Sequence, residues 1–297
     1  FGTDGYAITD LSGFEDKINS AFLQPNGKIV VAGKSYNGSN YDFSIARYNS
    51  NGTIDDYFNS LGYKTDYFST GNDIAEAVYV QPDGKIIVGG YSMIGSYRKF
   101  VISEYQENGS YNPGFSGDGQ QTISFSSNHD WGQSLYLQSD NKILFAGFSN
   151  SSLNSDFAIV RLDPDGSIDN TFGINGKVTI DIESGNDQAK KVIQQSDGKI
   201  VLCGTSYNGL SYNIALLRLG LDGMIDSSFG SNGKVITDIA GFDDYANCIA
   251  IQGDGKLILG GSYSDSIKSN FVLVRYNLNG QLDTTFGNNG ISTTTFG

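Results

Sequence analysis

The chain alternates between short apolar runs and short polar turns, and none of its segments keeps the 3.6-residue hydrophobic period of a helix. One stretch represents the whole pattern. It contains an alternating run, a run of small and β-branched residues, a continuously apolar run and a second apolar run, at Lys177–Ile182, Ala189–Gln195, Lys199–Gly204 and Ile214–Leu219. Runs of about six residues bounded by turns are typical of β-strands. The pattern therefore predicts four strands in this stretch.

The central part of the stretch is a ten-residue motif that runs from Gln195 to Gly204. A Gln ends one strand, a tight turn and an invariant Lys follow, and an apolar strand then closes on Gly. The motif recurs at residues 24–33, 81–90, 138–147 and 252–261, and four of the five copies carry Asn-Gly or Asp-Gly in the turn. These dipeptides tolerate positive φ and favour two-residue hairpins, so the motif predicts a repeated β-hairpin.

The repeat has a constant period of 57 residues, marked by a Phe at the start of each copy: Phe1, Phe58, Phe115, Phe172, Phe229 and Phe286. The repeats are 1–57, 58–114, 115–171, 172–228 and 229–285, and residues 286–297 open a sixth copy. A period near 50 residues with four strands per unit is typical of propeller blades. We expect one all-β domain over residues 1–297, a single five-bladed β-propeller with four strands per blade.

The order of strands in a blade follows from their polarity. The run of small residues suits the crowded inner position, the continuously apolar run the sheet interior, and the alternating run the outer edge. This order places the loop before the inner strand and the loop between the two apolar strands at the same end. Because outer-strand copies outnumber blades, we expect residues 291–296 to complete the last sheet. Residues 6–11 would then lie against it as a fifth strand or fasten the ring from outside.

Composition narrows the possible functions. The chain has 38% hydrophobic residues, 18 Tyr and 18 Phe, which is enough apolar surface for a core and argues against disorder. The net charge of −13 argues against nucleic acid as a partner, and apolar runs of about six residues exclude direct membrane insertion. Cys203 and Cys248 lie at different repeat positions, and we interpret both as small buried thiols.

Three segments carry a family resemblance: Gln-Pro-Asp-Gly-Lys-Ile-Ile-Val-Gly-Gly at 81–90, Asp-Phe-Ala-Ile-Val-Arg-Leu at 156–162 and Asp-Gly-Ser-Ile-Asp-Asn-Thr-Phe-Gly at 165–173. The chain resembles the delta-60 repeat family of bacterial surface or secreted proteins over all five repeats. The hairpin motif also resembles the inner hairpin of WD-repeat propellers. The resemblance implies an extracellular or cell-surface location and an interaction role. Repeat two departs most, because Glu104 replaces the strand Arg.

An Asp occupies the same place in every repeat, at the end of the loop before the inner strand: Asp16, Asp73, Asp130, Asp187 and Asp244. These carboxylates could line one channel mouth and hold a cation such as Ca²⁺. The alternative is that each carboxylate caps loop amides within its own blade. A feature present in every blade favours the structural interpretation, so we expect no cofactor, with Ca²⁺ as the exception to test.

Charged residues also recur inside the apolar third strand, where a charge needs a partner. Four repeats have an Arg there (Arg47, Arg161, Arg218 and Arg275) and one has Glu104. Asp42 and Asp156 precede an Arg by five residues, and Lys99 precedes Glu104 by the same distance. This pattern suggests one ion pair whose polarity reverses in repeat two. Because residues five apart on a regular strand face opposite sides, such a pair would run between blades or through a bulge.

The most variable parts of the repeat are loops rich in Tyr, Ser, Asn and Gly, at residues 35–41, 92–98, 149–155, 206–212 and 262–269. This composition suits adaptable binding surfaces. We expect the ligand-binding face to comprise Tyr36, Tyr41, Tyr97, Tyr207, Tyr212, Tyr263, His129 and Trp131. The competing interpretation is that these loops are only solvated.

The sequence favours a non-catalytic binding or adhesion module that engages a protein or glycan through one loop face. One alternative is a structural subunit of a larger surface or secretion assembly. The other is a carbohydrate-active enzyme that uses the channel-mouth carboxylates. Catalysis has little support, because the chain has a single His and a symmetric Asp set gives no reason for one acid and one base. We assign no catalytic residues.

Overall fold

The computed structural model describes residues 1–151, 154–265 and 267–295, and its regular elements are twenty β-strands. They form five antiparallel sheets of four strands. The first sheet contains β1 (Asp16–Leu23), β2 (Ile29–Tyr36), β3 (Tyr41–Tyr48) and β4 (Tyr63–Asp66). The second contains β5 (Asp73–Val80), β6 (Ile86–Ile94), β7 (Tyr97–Tyr105) and β8 (Gln120–Ile123). The third contains β9 (Asp130–Leu137), β10 (Ile143–Asn150), β11 (Ser155–Leu162) and β12 (Lys177–Ile180). The fourth contains β13 (Asp187–Gln194), β14 (Ile200–Tyr207), β15 (Tyr212–Leu219) and β16 (Lys234–Thr237). The fifth contains β17 (Asp244–Ile251), β18 (Leu257–Ser264), β19 (Ser269–Tyr276) and β20 (Ile291–Thr294).

Each sheet runs in simple order from its first strand to its fourth, as predicted from the polarity of the runs. The fourth strand comes from the following 57-residue unit, so that β15 pairs with β16 through Ile214–Thr237 and Leu217–Lys234. It is only four residues long, shorter than the alternating pattern suggested. A short polar edge strand discourages pairing with other chains.

The first strand of a sheet carries a β-bulge that explains the invariant glycine at the end of the hairpin motif. In the fourth sheet the register of β13 and β14 shifts between Ala189 and Lys191, next to the pair that Ala189 makes with Gly204. A Cβ on Gly204 would overlap the carbonyl oxygen of Gln188. The same overlap exists at Gly33, Gly90 and Gly261. The glycine is therefore required by the close approach of two strands and not by its φ angle.

The second and third strands form the core of the first four sheets. In β14 the residues from Ile200 to Ser206 are all buried, and in β15 those from Asn213 to Leu219 are buried as well. Four of the Phe residues that mark the repeats are anchors, since Phe58, Phe115, Phe172 and Phe229 have no exposed surface, whereas Phe1 is 54% exposed. Directly after Phe172, the amide of Gly173 donates to the carbonyl of Asp222 in the turn of the neighbouring sheet at 2.7 Å. Sequential blades are thus joined at their turns.

The two terminal copies of the outer strand behave differently. β20 pairs with β19 from Phe271–Thr294 to Val274–Ile291 and completes the fifth sheet, as expected; Phe296 lies outside the described residues. The expected fifth strand at residues 6–11 is wrong, because these residues form no strand and the fifth sheet has four. They lie instead on the first sheet, where the Tyr48 hydroxyl donates to Thr9 Oγ1 at 2.9 Å.

The described chain forms two compact units. The first comprises Phe1–Ile143 and Leu162–Ser167, and the second comprises Leu144–Arg161 and Ile168–Gly297. Within residues 1–151, 154–265 and 267–295, no helix has the length and apolar character needed to cross a bilayer. Five four-stranded antiparallel sheets built from five equal repeats make this an all-β, five-bladed β-propeller fold.

Candidate functional site

The strand registers place the variable loops and the loop before the first strand at one end of each sheet. In the first sheet Asp16 pairs with Ser35, and Tyr36 pairs with Tyr41 beside the hairpin tip. The Lys turn lies at the other end, because Leu23 pairs with Ile29. We call the end that carries the variable hairpins the loop face. Aromatic groups of the described residues lie at this end, three of them around the predicted Tyr, His and Trp side chains.

The first group lies on the first sheet. The Phe14 and Tyr36 rings are 5.8 Å apart in an edge-on arrangement, and the Tyr36 and Tyr41 rings are 5.2 Å apart. The Tyr41 hydroxyl donates to Glu15 Oε2 at 2.8 Å, and the Lys34 ammonium lies 3.5 Å from the centre of the Tyr41 ring. The hydrogen bond to the Glu15 carboxylate raises the pKa of Tyr41. These contacts hold the rings in place at the surface.

The second group joins β7 to the start of β9. The Tyr97 and His129 rings are 5.5 Å apart, and the His129 and Trp131 rings are 5.4 Å apart. The backbone amide of Arg98 donates to His129 Nδ1 at 3.0 Å, and the Arg98 guanidinium lies 5.2 Å from the Trp131 ring centre. Tyr97 is exposed, whereas His129 and Trp131 are half-buried. The group therefore combines an accessible aromatic edge with fixed hydrogen-bonding groups.

The third group lies between β14, β15 and β17. The Tyr207 and Tyr212 rings are 5.0 Å apart, and the Tyr212 and Tyr245 rings are 5.7 Å apart. Sequence reasoning missed Tyr245, although it directly follows the invariant Asp244 and could have been found from that spacing. Tyr263 lies differently, because it is half-buried and packs against the apolar core of the fourth and fifth sheets. The predicted loop at 149–155 contains residues 152 and 153, and the loop at 262–269 contains residue 266, all outside the described residues.

The invariant Asp residues cap the loop before the first strand. In each repeat one carboxylate oxygen accepts a hydrogen bond from the amide five residues earlier, at Leu11, Phe68, Phe125, Ile182 and Ile239. Burial raises the pKa of Asp187 and of Asp244 to about 6. The observed contacts are those expected for the structural alternative, in which each carboxylate organises its own loop.

The Arg of the third strand pairs with a different Asp from the one suggested by the sequence pattern. Arg47 Nε donates to Asp55 Oδ2 at 2.6 Å, and the amides of Asn37 and Asn40 donate to the Asp42 carboxylate. The predicted Asp42–Arg47 pair is therefore wrong, since residues five apart on one strand face opposite sides of the sheet.

The observed pairing recurs between Arg161 and Asp169, Arg218 and Asp226, and Arg275 and Asp283. In repeat two Glu104 accepts from the side chains of Asn112 and Gln81, so Lys99 is not its partner. The sequence contains a signal that could have identified the pair. The Arg and Asp are always eight residues apart, and repeat two, which has Glu104 in place of the Arg, also has Asn112 in place of the Asp.

The two thiols also differ from each other. Cys203 is fully buried, and burial raises its pKa to about 12. Cys248 is exposed, so its interpretation as a buried thiol is wrong. It lies on β17, whose residues after Ala246 are mostly exposed or half-buried.

Comparison with solved structures returns other proteins with similar backbones. A putative exo-β-1,3-galactanase from Bifidobacterium bifidum s17 is 10% identical, with a TM-score of 0.45, over 94% of this chain and 90% of that chain. A protein from Lactobacillus plantarum is 13% identical, with a TM-score of 0.51, over 91% of this chain and 70% of that one. At such identities the similarity concerns the fold alone. A search of curated proteins found no match.

A family description matches the chain five times. It is that of a domain of unknown function (DUF5122) β-propeller, and it matches residues 24–58, 81–115, 138–172, 195–229 and 252–286. Each match begins at the Gln of a hairpin motif and ends at the Phe that starts the next repeat. Together the matches cover more than half of the 297 residues. The chain therefore belongs to the DUF5122 β-propeller family.

Proposed function

We propose that this propeller is a non-catalytic binding module that engages a glycan through its loop face, at the bacterial cell surface or outside the cell. The observation that carries the proposal is the group of Tyr97, His129 and Trp131, with Arg98 stacked against it. Aromatic rings supply large contact areas at low cost in conformational entropy, and the neighbouring guanidinium and imidazole supply hydrogen bonds. A sugar presents an apolar ring face and hydroxyl groups, which suits this combination.

The burial and the hydrogen bonding of the invariant carboxylates favour binding over catalysis. The invariant carboxylates Asp73, Asp130, Asp187 and Asp244 have no exposed surface, and each accepts a backbone amide. An acid or base in glycoside hydrolysis must reach the glycosidic oxygen or a water molecule beside it. Carboxylates engaged in this way suit a structural role better than a catalytic one.

Glycan-array screening of the purified chain, followed by calorimetric titration of any ligand found, tests this proposal. Trp131→Ala should weaken the binding at least tenfold, because the ring supplies the central contact of the group. The matched control is Tyr57→Ala, which also removes an aromatic side chain. Tyr57 is 84% exposed and lies after the end of β3 that is opposite the loop face. An equal loss of glycan affinity in both variants, or release of sugar by the wild-type chain, would contradict the proposal. If the chain bound a protein and no glycan, the ligand would be a protein instead.

A second candidate function, a structural subunit of a larger assembly, has its own supporting observation. Leu273 on β19 is 44% exposed, although the residues at the same place in the other sheets (Ile45, Ile102, Ile159 and Leu216) are at most 1% exposed. In the fourth sheet this position lies against the next blade. An apolar partner with the shape of another repeat would therefore fit the fifth sheet. Light scattering over a concentration series tests this candidate: Leu273→Lys should abolish any concentration-dependent assembly, and a wild-type chain that stays monomeric throughout would argue against it.

A further inference from the structure

Arg98 differs from the other four arginines of the chain, because it forms no ion pair with any residue that the structure describes. The other four each bind an Asp at 2.6 to 2.8 Å. The Arg98 guanidinium lies instead over two aromatic rings, 5.9 Å from the ring centre of Tyr91 and 5.2 Å from that of Trp131. The chain has 32 acidic and only 19 basic residues, and Arg98 is half-buried. A half-buried cation needs a partner, and within this acidic chain Arg98 has none.

His129 presents a second hydrogen-bond donor at the same indole ring. Its ring centre lies 5.4 Å from that of Trp131, and its Nδ1 atom accepts the backbone amide of Arg98 at 3.0 Å. Because Nδ1 is an acceptor, the neutral imidazole carries its proton on Nε2. Among the described residues, no group accepts a hydrogen bond from this Nε2–H. The guanidinium and the imidazole therefore offer donors only, which is the arrangement that an anion requires.

The fold does not need an imidazole for the bond to the Arg98 amide. In other repeats an Asn or Asp side chain accepts the equivalent amide. The pairs are Tyr41 with Asn72 at 3.0 Å, Ser155 with Asn186 at 3.1 Å and Tyr212 with Asp243 at 2.9 Å. A short amide or carboxyl group thus satisfies the backbone. What His129 adds to the repeat is the second ring nitrogen and its proton.

The group also breaks the symmetry of the repeat. The position of Arg98 is occupied elsewhere by Tyr41, Ser155, Tyr212 and Ser269. The position of Trp131 is occupied elsewhere by Lys17, Ile74, Gln188 and Tyr245. The Arg, the His and the Trp occur together in one place only. A scaffold role shared by five blades therefore does not account for them.

The invariant carboxylate beside the group is already neutralised. The Lys99 ammonium lies 3.3 Å from Asp130 Oδ2, and it also donates to the carbonyls of Ser126 and Asn128 at 2.8 and 2.9 Å. Lys99 is thus the counterion of Asp130, and the charge of Arg98 is not needed for that purpose. Physiological salt screens charges on exposed surface beyond about 8 Å, so the net charge of −13 does not prevent an anion from binding here.

We propose that the ligand of this group is an acidic glycan, in which Arg98 and His129 bind a carboxylate carried by a sugar ring. This inference rests on the proposed function, in which the loop face binds a glycan. A guanidinium presents parallel N–H donors that match the two oxygens of a carboxylate, and the imidazole Nε2–H supplies a further donor. Trp131 contacts the apolar face of the sugar, and Tyr97, which is 43% exposed, forms the edge of the site. Hexuronates and sialic acids both carry such a carboxylate.

Calorimetric titration with two matched pairs of probes tests the proposal. The pairs are tri-galacturonate with its methyl ester, and sialyllactose with lactose. We expect the acidic member of one pair to bind at least tenfold more tightly than its neutral partner, and that pair identifies the source of the carboxylate. Raising NaCl from about 0.05 to about 0.5 M should reduce this preference, because salt screens the charges. Equal affinities within both pairs would overturn the inference and leave the glycan site intact, whereas binding of none of these probes and of no glycan on an array would overturn both.

Replacing Arg98 separates the charge from the rest of the site. Arg98→Ser copies Ser155 and Ser269, so the fold tolerates it. It should weaken binding of the acidic probe at least tenfold and leave the affinity for the neutral partner unchanged. The matched control is Lys268→Ser, which copies Ser211 and removes one exposed positive charge from the loop face of the fifth sheet. An equal loss in both variants, or no loss in Arg98→Ser, would refute the role of Arg98.

Replacing His129 tests the second donor without disturbing the backbone. His129→Asn copies Asn72 and Asn186, which keep an acceptor for the equivalent amide. The variant should keep the melting temperature of the wild type and bind the acidic probe at least threefold more weakly. Unchanged affinity for the acidic probe would show that the imidazole has only the structural role that Asn performs elsewhere.

Discussion

The Arg–Asp pair of the third strand gives a sharp test of how the blades are held together. In repeat one the side chains of Arg47 and Asp55 are each 3% exposed and joined at 2.6 Å. Arg47 also donates to the carbonyl of Glu107 in the next sheet at 2.5 Å, and its guanidinium lies 5.1 Å from the Phe58 ring centre. Lys28 binds the same Asp55 oxygen at 2.8 Å. Asp55 thus neutralises two cations, one of them fully buried.

Asp55→Ala would leave the Arg47 guanidinium buried without a counterion. Breaking a buried ion pair from one side costs about 3–5 kcal/mol. Unfolding entropies near 2.1 cal/mol/K per residue, summed over 297 residues, convert about 4 kcal/mol into a fall in melting temperature of about 6 °C. Differential scanning calorimetry at pH 7 measures this fall. A drop of less than about 2 °C would show that the pair contributes little.

The chain itself provides the control for charge removal. Repeat two has Glu104 and Asn112 at the two positions, held by the Gln81 amide, and repeat one has Gln24 where repeat two has Gln81. The double variant Arg47→Glu with Asp55→Asn should therefore recover more than half of the stability that Asp55→Ala loses. A double variant as unstable as Asp55→Ala would refute the idea that the two pairs are interchangeable solutions to one packing problem.

Three further predictions concern backbone, protons and the C-terminal strand. Gly204→Ala should lower the melting temperature by more than 5 °C, because the new Cβ overlaps the Gln188 carbonyl. The control is Cys203→Ala, which copies Ala32 and Ala146 of other repeats and should lower the melting temperature less. The chain should be more stable at pH 5 than at pH 7. Burial raises the pKa of Asp244 to about 6 in the folded state, so its contribution to stability is full at low pH and is lost as the pH rises through 6. Asp244→Asn should reduce this gain, and an unchanged gain would exclude Asp244 as its source. Asp55 has a lowered pKa, so its contribution falls only below about pH 4 and does not oppose this trend. Removal of residues 286–297 deletes β20 and the Phe286 ring, whose centre lies 4.6 Å from the Arg275 guanidinium. This truncation should lower the temperature of the main unfolding transition. A truncated chain that melts like the full-length one would show that this strand is dispensable.

The repeat, the hairpins and the strand order within a sheet are all predictable from the sequence. These features depend on local rules, since Asp-Gly turns, six-residue apolar runs and a constant 57-residue spacing are all visible without contacts. The final glycine of the hairpin motif was also visible, but its cause was not. Only the paired strands show that a bulge at Ala189 brings the Gln188 carbonyl against Gly204.

Tertiary structure decided which charges meet. The sequence pointed to residues five apart, whereas the turn after β3 returns the chain so that Asp55, eight residues after Arg47, reaches its guanidinium. It also decided that residues 6–11 lie on the first sheet, because the outer-strand pattern is the same in all six copies and cannot specify which neighbour each one contacts.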